Sequence, residues 1–445
     1  MTMCLRMAIV LQAAVVVVVV TAGSPSSPPS TTRNVLGLSE WAQQQEGLEL
    51  HSSLLFKEYK SAESTSDKSS GSNWGLELKE PVPTGTVLLT VPRHLVLQAS
   101  SIRDEFSKEM GKDLLEKVQG SLNESDMSHH EPNFWIVWKF WNLCRQGQNH
   151  KWKPWIQAMP GAFTRFSKQE QDCLPYYAKY AAEYQDKKLE AFGKAAQLAV
   201  QGSDKKQEWN DTDQEFFEMA FLAVNSRFWT TSPAPELNLQ PTAELVPIGD
   251  MFNHRDPPNV KVVSQNNGSV NVIYTGDGTC RDLYNFYGQP SNPHRFLVIF
   301  GFVPSADDMP TMWCQMTHPN NPFSADVDNM VFSTQDNNGK TVWDAVLYAL
   351  EDEDQPDVQY TAARHNVPYV RKYTRQVLEQ HVATQLQELQ ECCQKIDALL
   401  RSCSSKKELI RQHNSFCEGV FTRVQQYLEQ TRDQEIEFPD SSSEQ

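Results

Sequence analysis

The chain has 445 residues, of which 39% are hydrophobic, 10% aromatic and 22% charged, as in an ordinary globular protein of roughly two or three domains. Its formal net charge of −16 disfavours sequence-independent binding to DNA or RNA, because such binding needs lysine and arginine clustered against phosphates. We therefore expect a protein or peptide partner and no nucleic acid.

The N-terminus has the pattern of a secretory signal peptide, here residues 1–23. Arg6 is followed by an apolar run from Met7 to Val20 and then by small residues. The run is short for a transmembrane span, so no stable span is expected after cleavage, and an uncleaved anchor is the alternative. The mature protein would be lumenal, secreted, or sent to an organelle by a two-part address.

The ends of the remaining chain have the composition of disordered segments. Residues 24–35 are rich in serine and proline and predict a disordered spacer, and residues 433–445 predict an acidic, disordered tail. Between them, Leu36 to Leu55 has apolar residues at helical spacing and predicts an opening helix with Ser39 as its N-cap.

Two strands and a long helical region follow. Asn73 to Leu78 and Thr86 to Pro92, separated by turn residues, predict the strands. Apolar residues at helical intervals then predict helices over Asp104 to Lys117, Phe134 to Cys144, Tyr176 to Ala199 and Phe216 to Trp229. The aromatic residues from Trp152 to Pro160 are predicted to pack in the core and are assigned no chemistry.

Two polar clusters, each beside an apolar run, form the most informative part of the sequence. They are Gly249 to His254 and Tyr287 to Asn292. Between them, Val260 to Tyr274 alternates apolar and polar residues around Asn267-Gly268, which is a strong hairpin signal. The hairpin would bring the second cluster back across the first.

The last part of the chain has the pattern of an antiparallel helical hairpin. A helical pattern from Val370 to Leu400 is broken at Ser402 to Ser405, and a second follows from Lys407 to Gln430. The alternative is a coiled-coil dimer, but the heptad pattern drifts, so we expect a monomer.

The nine cysteines do not have the spacing of a zinc site, because no Cys-x-x-Cys is completed by a second pair, and the sequence therefore predicts no metal. Cys392, Cys393, Cys403 and Cys417 could pair in an oxidising lumen, and free buried thiols are the equally acceptable alternative.

The two polar clusters resemble motifs of the SET-domain methyltransferases, and more narrowly the subfamily of the Rubisco large-subunit and actin-histidine methyltransferases. Asp250-x-x-Asn253-His254 matches one family motif, and Tyr287-Gly288 with the later Gly301-Phe302 matches another. The resemblance implies an α+β fold. A SET-type β fold over residues 36–305, with a helical insert at about 100–215, would be followed by an all-α substrate-binding domain over residues 306–432.

The resemblance also implies S-adenosylmethionine as cofactor and a protein side chain as methyl acceptor, with lysine first and histidine second. Asn73, Trp74 and Gly75 stand where the family has a glycine turn whose backbone lies against the methyl donor. Asn tolerates a left-handed backbone best after glycine, so the turn can survive Asn73 in a glycine position.

The remaining implied site residues lie in the helix end and the two clusters. Arg227 would meet the carboxylate of the donor, for which its planar fork is suited, and Asp250 and Arg227 together would organise this end of the donor. Asn253 and the backbone of His254 would hold the adenine. Tyr287 would be catalytic, with its hydroxyl near the transferring methyl and the acceptor nitrogen.

Three departures from the family pattern favour a rival function, a catalytically inactive SET-like protein-binding module. Ser72 replaces a frequent glutamate, Asn73 replaces a glycine, and Phe300 stands where many relatives have tyrosine. The missing hydroxyl at Phe300 removes a hydrogen bond that would orient an amine, which also makes a histidine acceptor conceivable.

Overall fold

The computed structural model describes residues 35–59, 73–145, 151–159, 165–202, 208–231, 242–255, 257–287, 293–303, 311–314, 330–333, 368–398 and 404–430. The predicted signal peptide, nearly all of the spacer and the tail lie outside these residues. Within the described ranges, no helix combines the length and the apolar character that crossing a bilayer requires.

The helices, in chain order, are Leu36–Gln43 (α1), Ala99–Met110 (α2), Lys112–Glu124 (α3), Glu131–Arg145 (α4), Lys153–Ala158 (α5), Lys168–Gln171 (α6), Tyr176–Gln201 (α7), Asp211–Asn225 (α8), Pro293–Arg295 (α9), Pro368–Ala398 (α10) and Ser404–Gln430 (α11). A π-helical turn, Phe296–Phe300, continues α9.

The strands are Glu49–Leu50 (β1), Leu54–Tyr59 (β2), Asn73–Leu78 (β3), Val87–Val91 (β4), Leu97–Gln98 (β5), Trp229–Thr231 (β6), Thr242–Leu245 (β7), Asn253–His254 (β8), Val260–Ser264 (β9), Val270–Tyr274 (β10), Asp282–Asn285 (β11), Thr311–Cys314 (β12) and Met330–Ser333 (β13). They form small sheets in the orders β1-β4-β10-β9, β2-β3-β11-β8, β5-β7-β6 and β12-β13. Small sheets combined with helices confirm the predicted α+β class.

The predicted hairpin between the two polar clusters is confirmed. Strands β9 and β10 are antiparallel, with Val272 opposite Val262 and Val270 opposite Ser264. Gly268 has a φ of +79°, a left-handed conformation that glycine adopts without steric cost. The hairpin therefore returns the chain to the end at which β9 begins, and the next strand, β11, follows from there.

The predicted opening helix is shorter than the sequence pattern indicated, so the expectation for Leu36 to Leu55 was wrong at its C-terminal half. Helix α1 ends at Gln43, and Val35 rather than Ser39 is its N-cap residue. Gly47 has a φ of +74°, which turns the chain away from the helix axis. Glu49 and Leu50 then pair with Thr90 and Leu89 of β4, so sheet hydrogen bonds replace helical ones.

Helices α2 to α8 form the helical layer that positions the site. The predicted helix over Asp104 to Lys117 is divided between α2 and α3 at Gly111, whose φ is +87°. The predicted packing role of the tryptophans near residue 155 is confirmed, since Trp152 and Trp155 are buried and their ring centroids lie 5.4 Å apart. This aromatic layer lies against the sheets in one continuous core.

The two predicted C-terminal helices are confirmed as α10 and α11, which pack on each other. Ile396 and Ile410 share a core with Leu174 and Leu297, so the helix pair is joined to the rest of the fold. The same region also contains the antiparallel strand pair β12–β13, which the expectation of an all-α domain did not include. Each of the two strands has only four residues, which is too short for a clear strand pattern. Cys392, Cys393 and Cys417 are free thiols, and Cys403 lies outside the described residues.

Helix α7 contains a buried lysine, Lys188, whose side chain is only 3% exposed. Its Nζ donates a hydrogen bond to Oδ1 of Asn225 at 3.0 Å and lies between the rings of Phe192, Phe221 and Phe228. Burial, and secondarily the positive charge of Arg295, lower the pKa of Lys188 to about 7. The folded protein therefore holds this amine close to the neutral state.

Replacing Lys188 by methionine should change how stability depends on pH. In the unfolded chain a lysine has a pKa of about 10.4, so between pH 7 and about 10.4 the unfolded state binds the proton that the folded state has lost. Wild-type stability should therefore rise with pH relative to that of Lys188→Met, by at most about 1.4 kcal/mol per pH unit.

The measurement is urea unfolding of both proteins at several pH values in that interval. Lys194→Met is the matched control, because Lys194 lies on the same helix with a side chain that is 60% exposed. It should leave the wild-type pH dependence unchanged. Parallel curves for wild type and Lys188→Met would contradict the prediction.

Candidate active site

The two polar clusters meet through a short parallel strand pair. Asn253 of β8 pairs with Tyr284 of β11, and His254 pairs with Asn285. Parallel neighbours need a long crossover, and the β9–β10 hairpin supplies it. Two residues beyond β11 the chain reaches Tyr287, which therefore lies beside the Asn253-His254 turn as predicted.

His254 is the contact point between the clusters. Its Nδ1 accepts a hydrogen bond from the backbone N–H of Tyr287 at 3.2 Å. Its ring lies 5.3 Å from the ring of Tyr287, 4.6 Å from that of Phe296 and 6.2 Å from that of Phe302. Because the Nδ1 lone pair is engaged by the backbone, the His254 ring organises the loop and does not offer that nitrogen as a base.

The hydroxyl of Tyr287 donates its proton to the backbone carbonyl of Phe252 at 2.7 Å. A phenol that donates in this way keeps its oxygen lone pairs as acceptors. The Phe300 ring lies 5.0 Å from the Tyr287 ring, and both side chains are half-buried. The pair presents the phenol oxygen of Tyr287 beside the Phe300 ring, which we call the aromatic wall. Phe300 adds no second hydroxyl.

Gly75 and Asn253 approach each other closely from different strands. A Cβ atom at position 75 would lie 2.3 Å from Nδ2 of Asn253 and 2.8 Å from Cε2 of Tyr59. Only glycine leaves this space without displacing its neighbours. The amide of Asn253 forms no hydrogen bond to any other residue that the structure describes, so its donor and acceptor edge is available to a ligand.

Asp250 and Arg227 form a buried ion pair. Nη1 of Arg227 lies 3.0 Å from Oδ2 of Asp250, whose side chain is 1% exposed, while that of Arg227 is 13% exposed. Nε1 of Trp155 donates to the other carboxylate oxygen at 3.3 Å. Both oxygens of Asp250 are thereby satisfied, so Asp250 holds Arg227 and Trp155 and has no free edge for a ligand.

The turn that carries Asp250 is conformationally strained. Ile248, which is fully buried and precedes the turn Gly249–Met251, has a φ of +69°, an outlier for a β-branched residue. The turn has no room beside it, since a Cβ at Gly249 would lie 2.5 Å from Cη2 of Trp229. Such strain persists only where surrounding structure enforces it, and it clusters at functional sites.

Arg227 also has an orphaned donor. Its Nε is buried and has no hydrogen-bond partner in the described structure, although Nη1 is paired. A buried donor left without an acceptor costs about 1–3 kcal/mol. An oxygen ligand in front of Nε would remove that cost.

The structure thus brings together most of the predicted site residues in two groups. One group contains Gly75, Asn253 and Tyr59, and it adjoins His254 of β8 and Tyr287, which follows β11. The other group contains Arg227 and Asp250. Asn73 and Trp74 begin β3 opposite Tyr59 and Glu58 of β2. Gly288, Ser291 and Asn292 lie outside the described residues.

Sequence reasoning missed two supporting residues. Trp155 was predicted only to pack, yet its indole N–H fixes Asp250. Tyr59 was not singled out, yet its ring borders Gly75 and its hydroxyl donates to Asp282 at 2.9 Å. Neither residue carries a local signal, because each acquires its role from a partner that is distant along the chain.

Gly75→Ala should destabilise the protein, because the new Cβ must displace the Asn253 amide and the Tyr59 ring. Overpacking of this kind costs about 1–3 kcal/mol. The φ of Gly75 is not among the positive ones, so the effect is steric and not conformational. The measurement is the free energy of unfolding from urea titration.

Gly120→Ala is the matched control, since Gly120 lies within α3 and a Cβ there meets no atom within 4 Å. Alanine in a helix interior is favoured over glycine by about 0.5–1 kcal/mol, so the control should be stabilised. Equal effects of the two substitutions would show that the space beside Gly75 is not constrained as described.

Comparison with known proteins gives a match to solved structures alone: no protein-family model matches the sequence, and no curated protein is similar to it. The SET domain of LSMT bound to lysine and AdoHcy is similar with a TM-score of 0.53 and 13% identity, over 90% of this chain and 91% of that chain. Rubisco LSMT bound to AdoMet gives a TM-score of 0.53 and 13% identity, over 90% and 92% of the two chains. The chain therefore has the fold of the LSMT-type SET-domain methyltransferases.

Proposed function

We propose that this protein is an S-adenosylmethionine-dependent protein methyltransferase that modifies a lysine, with histidine as the second candidate acceptor. The observation that carries the proposal is the β8–β11 pairing, which places the Asn253 turn and Tyr287 side by side within a fold of the SET type. Support comes also from similar structures described as bound to lysine and AdoHcy, and to sinefungin and monomethyllysine.

The described residues fit the proposed cofactor at two points. The Asn253 amide lies against the backbone of Gly75, and its free donor and acceptor edge matches an adenine edge. The orphaned Nε of Arg227 offers a buried donor to a carboxylate. Asp250 supports Arg227 in this role and does not itself touch the ligand. The role proposed for Asp250 is therefore to position Arg227, whereas the sequence resemblance placed it among the cofactor-binding residues.

When bound, S-adenosylmethionine supplies an electrophilic methyl group on a sulfonium. The work of the chain is then to align a neutral nitrogen with that methyl group and to exclude water. The Tyr287 oxygen can accept an N–H from the acceptor amine because its own proton is committed to the Phe252 carbonyl. The rings of Phe296, Phe300 and Phe302 exclude water from the same space.

Phe300 bears on the choice of acceptor. An amine held by Tyr287 alone has one hydrogen-bond partner, and it can rotate about that bond. A planar imidazole is fixed in addition by stacking against an aromatic wall, and the half-buried Phe300 ring provides one. This keeps histidine as the second acceptor, while the likeness to lysine-bound structures supports lysine as the first.

The rival function, a non-catalytic protein-binding module, keeps one specific observation in its favour. The Tyr287 hydroxyl is already hydrogen-bonded within the protein, and no second hydroxyl stands beside it at Phe300. A module of this kind would retain the fold and lose the binding of the cofactor or its turnover.

Calorimetric titration with S-adenosylmethionine should show binding to the wild type and much weaker binding to Asn253→Ala, because the alanine variant loses the amide edge. Tyr287→Phe should keep cofactor affinity and lose about two- to tenfold in methyl transfer, since a single hydrogen bond contributes about 0.5–1.5 kcal/mol. Transfer is measured with methyl-labelled donor in a protein lysate.

Two results decide between the functions. Absence of both heat and a thermal shift with S-adenosylmethionine would support the binding module. Binding that is abolished by Asn253→Ala but accompanied by no labelled product would assign the site to cofactor recognition without catalysis.

Phe300→Tyr should increase transfer to lysine relative to the wild type. It adds a second hydroxyl on a ring whose centroid lies 5.0 Å from that of the Tyr287 ring. The measurement compares labelled lysine and labelled histidine after hydrolysis of the product. Phe302→Tyr is the control, since the Phe302 ring lies beside that of His254, with 6.2 Å between the ring centroids. A fall in lysine methylation for Phe300→Tyr would contradict the expectation that a hydroxyl at position 300 orients the amine.

We further propose that the N-terminal apolar run directs the chain into the secretory pathway. This rests on the sequence pattern of residues 1–23 and is tested by N-terminal sequencing of the protein secreted from, or retained in, expressing cells.

A further inference from the structure

A cluster of two histidines and a cysteine is fully buried between the catalytic fold and the C-terminal helices. His294 of α9, His413 and Cys417 are 4%, 0% and 1% exposed. One nitrogen or sulfur atom from each lies within 4.8 Å of the others. Cysteine spacing alone predicted no metal site, because His294 is 119 residues from His413 and only the fold brings them together.

We propose that His294, His413 and Cys417 bind a thiophilic cation, Zn²⁺ or Cu⁺. Imidazole nitrogen and thiolate sulfur are the ligands that both ions prefer. His413 and Cys417 are four residues apart on α11 and therefore share one helix face. His294 supplies the third ligand from a different element.

The distances in the cluster are close to those of a coordination sphere. His294 Nδ1 lies 2.9 Å from His413 Nε2, and Cys417 Sγ lies 3.7 Å from the same nitrogen. With metal–nitrogen bonds of about 2.0–2.1 Å and a metal–sulfur bond of about 2.3 Å, tetrahedral geometry places two nitrogens about 3.4 Å apart and nitrogen and sulfur about 3.6 Å apart. A ring shift of a few tenths of an ångström opens the first distance to this value.

The hydrogen bonds around His413 already orient it as a ligand. Nδ2 of Asn414 donates to the carbonyl of Cys173 at 3.2 Å, which turns Oδ1 of Asn414 toward Nδ1 of His413 at 3.1 Å. Nδ1 therefore carries the proton, and Nε2 directs its lone pair at His294 and Cys417. Metal-binding histidines are typically fixed by such an outer acceptor.

The cluster also contains a buried polar atom that the protein leaves unsatisfied. Nε2 of His294 is buried and has no hydrogen-bond partner in the described structure. Coordination through Nδ1 requires the ring proton to lie on Nε2, so a bound ion would engage Nδ1 and leave Nε2 as a buried donor. The coordination bond must therefore offset the cost of burying that donor.

Charge and coordination number separate the two candidate ions. Two neutral imidazoles and a thiolate balance the charge of Cu⁺, whereas Zn²⁺ would leave a net positive charge in a buried site and would need a fourth ligand. Among the described residues, the cluster contains no carboxylate and no fourth metal ligand. These features favour Cu⁺, and the experiment includes both ions.

The test is made on the whole chain, stripped of metal with a chelator and kept reduced without oxygen. It is titrated separately with Zn²⁺ and with Cu⁺ in competition with a coloured chelator. We expect the wild type to bind one equivalent of metal tightly. Cys417→Ser should lose more affinity than the factor of about 10–100 that follows the loss of a residue hydrogen-bonded to a metal ligand. A melting temperature raised by the metal in the wild type and unchanged in Cys417→Ser is the second readout.

Cys392→Ser is the matched control, because Cys392 is also a buried free thiol of the helix pair and lies outside the cluster. It should bind metal as the wild type does. Equal binding by the wild type and Cys417→Ser, or no stoichiometric binding of either ion, would overturn the proposal, and tighter Zn²⁺ binding would overturn the preference for Cu⁺. If Cys417→Ser does not fold, the wild type decides: a thiolate-to-cobalt absorption band that saturates at one equivalent of Co²⁺ supports the site, and its absence together with no stoichiometric binding of Cu⁺ refutes it.

Discussion

Strand β8 is only two residues long, and its parallel pairing with β11 brings the Asn253-His254 turn and Tyr287 together. The chain reaches β11 through the β9–β10 hairpin, which belongs to a different sheet. A strand this short cannot be stable by its own hydrogen bonds, so neighbouring contacts must hold it. The Tyr287 hydroxyl and backbone N–H do so by closing onto Phe252 and His254 from the same side.

The helical layer α2–α8 contributes to the site through one buried carboxylate. Trp155 of α5 and Arg227 after α8 both bind Asp250, so two helices of this layer are connected to the strained turn after Ile248. A buried ion pair of this kind adds little net stability, because desolvation offsets the attraction. Its value is geometric: without Arg227 the Asp250 carboxylate would be a buried, unpaired charge, so the pair specifies how the helices meet the turn.

Local signals predicted the parts of the fold that short stretches determine. The Asn267-Gly268 hairpin and the long C-terminal helices were predictable because turn chemistry and periodicity act within a few residues. The end of α1 was not, since Leu36 to Leu55 keeps a helical pattern that pairing with β4 overrides. For the site, family-like motifs predicted that Asn253 and Tyr287 converge. The Trp155 contact and the His294–His413 contact join residues that are distant along the chain and belong to no motif, so no local signal predicted them.

Residues 293–303 connect the C-terminal helices to the candidate site. Phe296 packs on His254, and two residues earlier His294 contacts His413 of α11. A π-helical turn begins at Phe296, and its wider winding is rare and is concentrated at functional sites. That winding lets Phe296 and Phe300 lie 5.4 Å apart on the side facing His254 and Tyr287. Because packed side chains transmit displacement, this segment is a direct route by which a shift of α11 at His413 would act on the rings of Phe296 and Phe300.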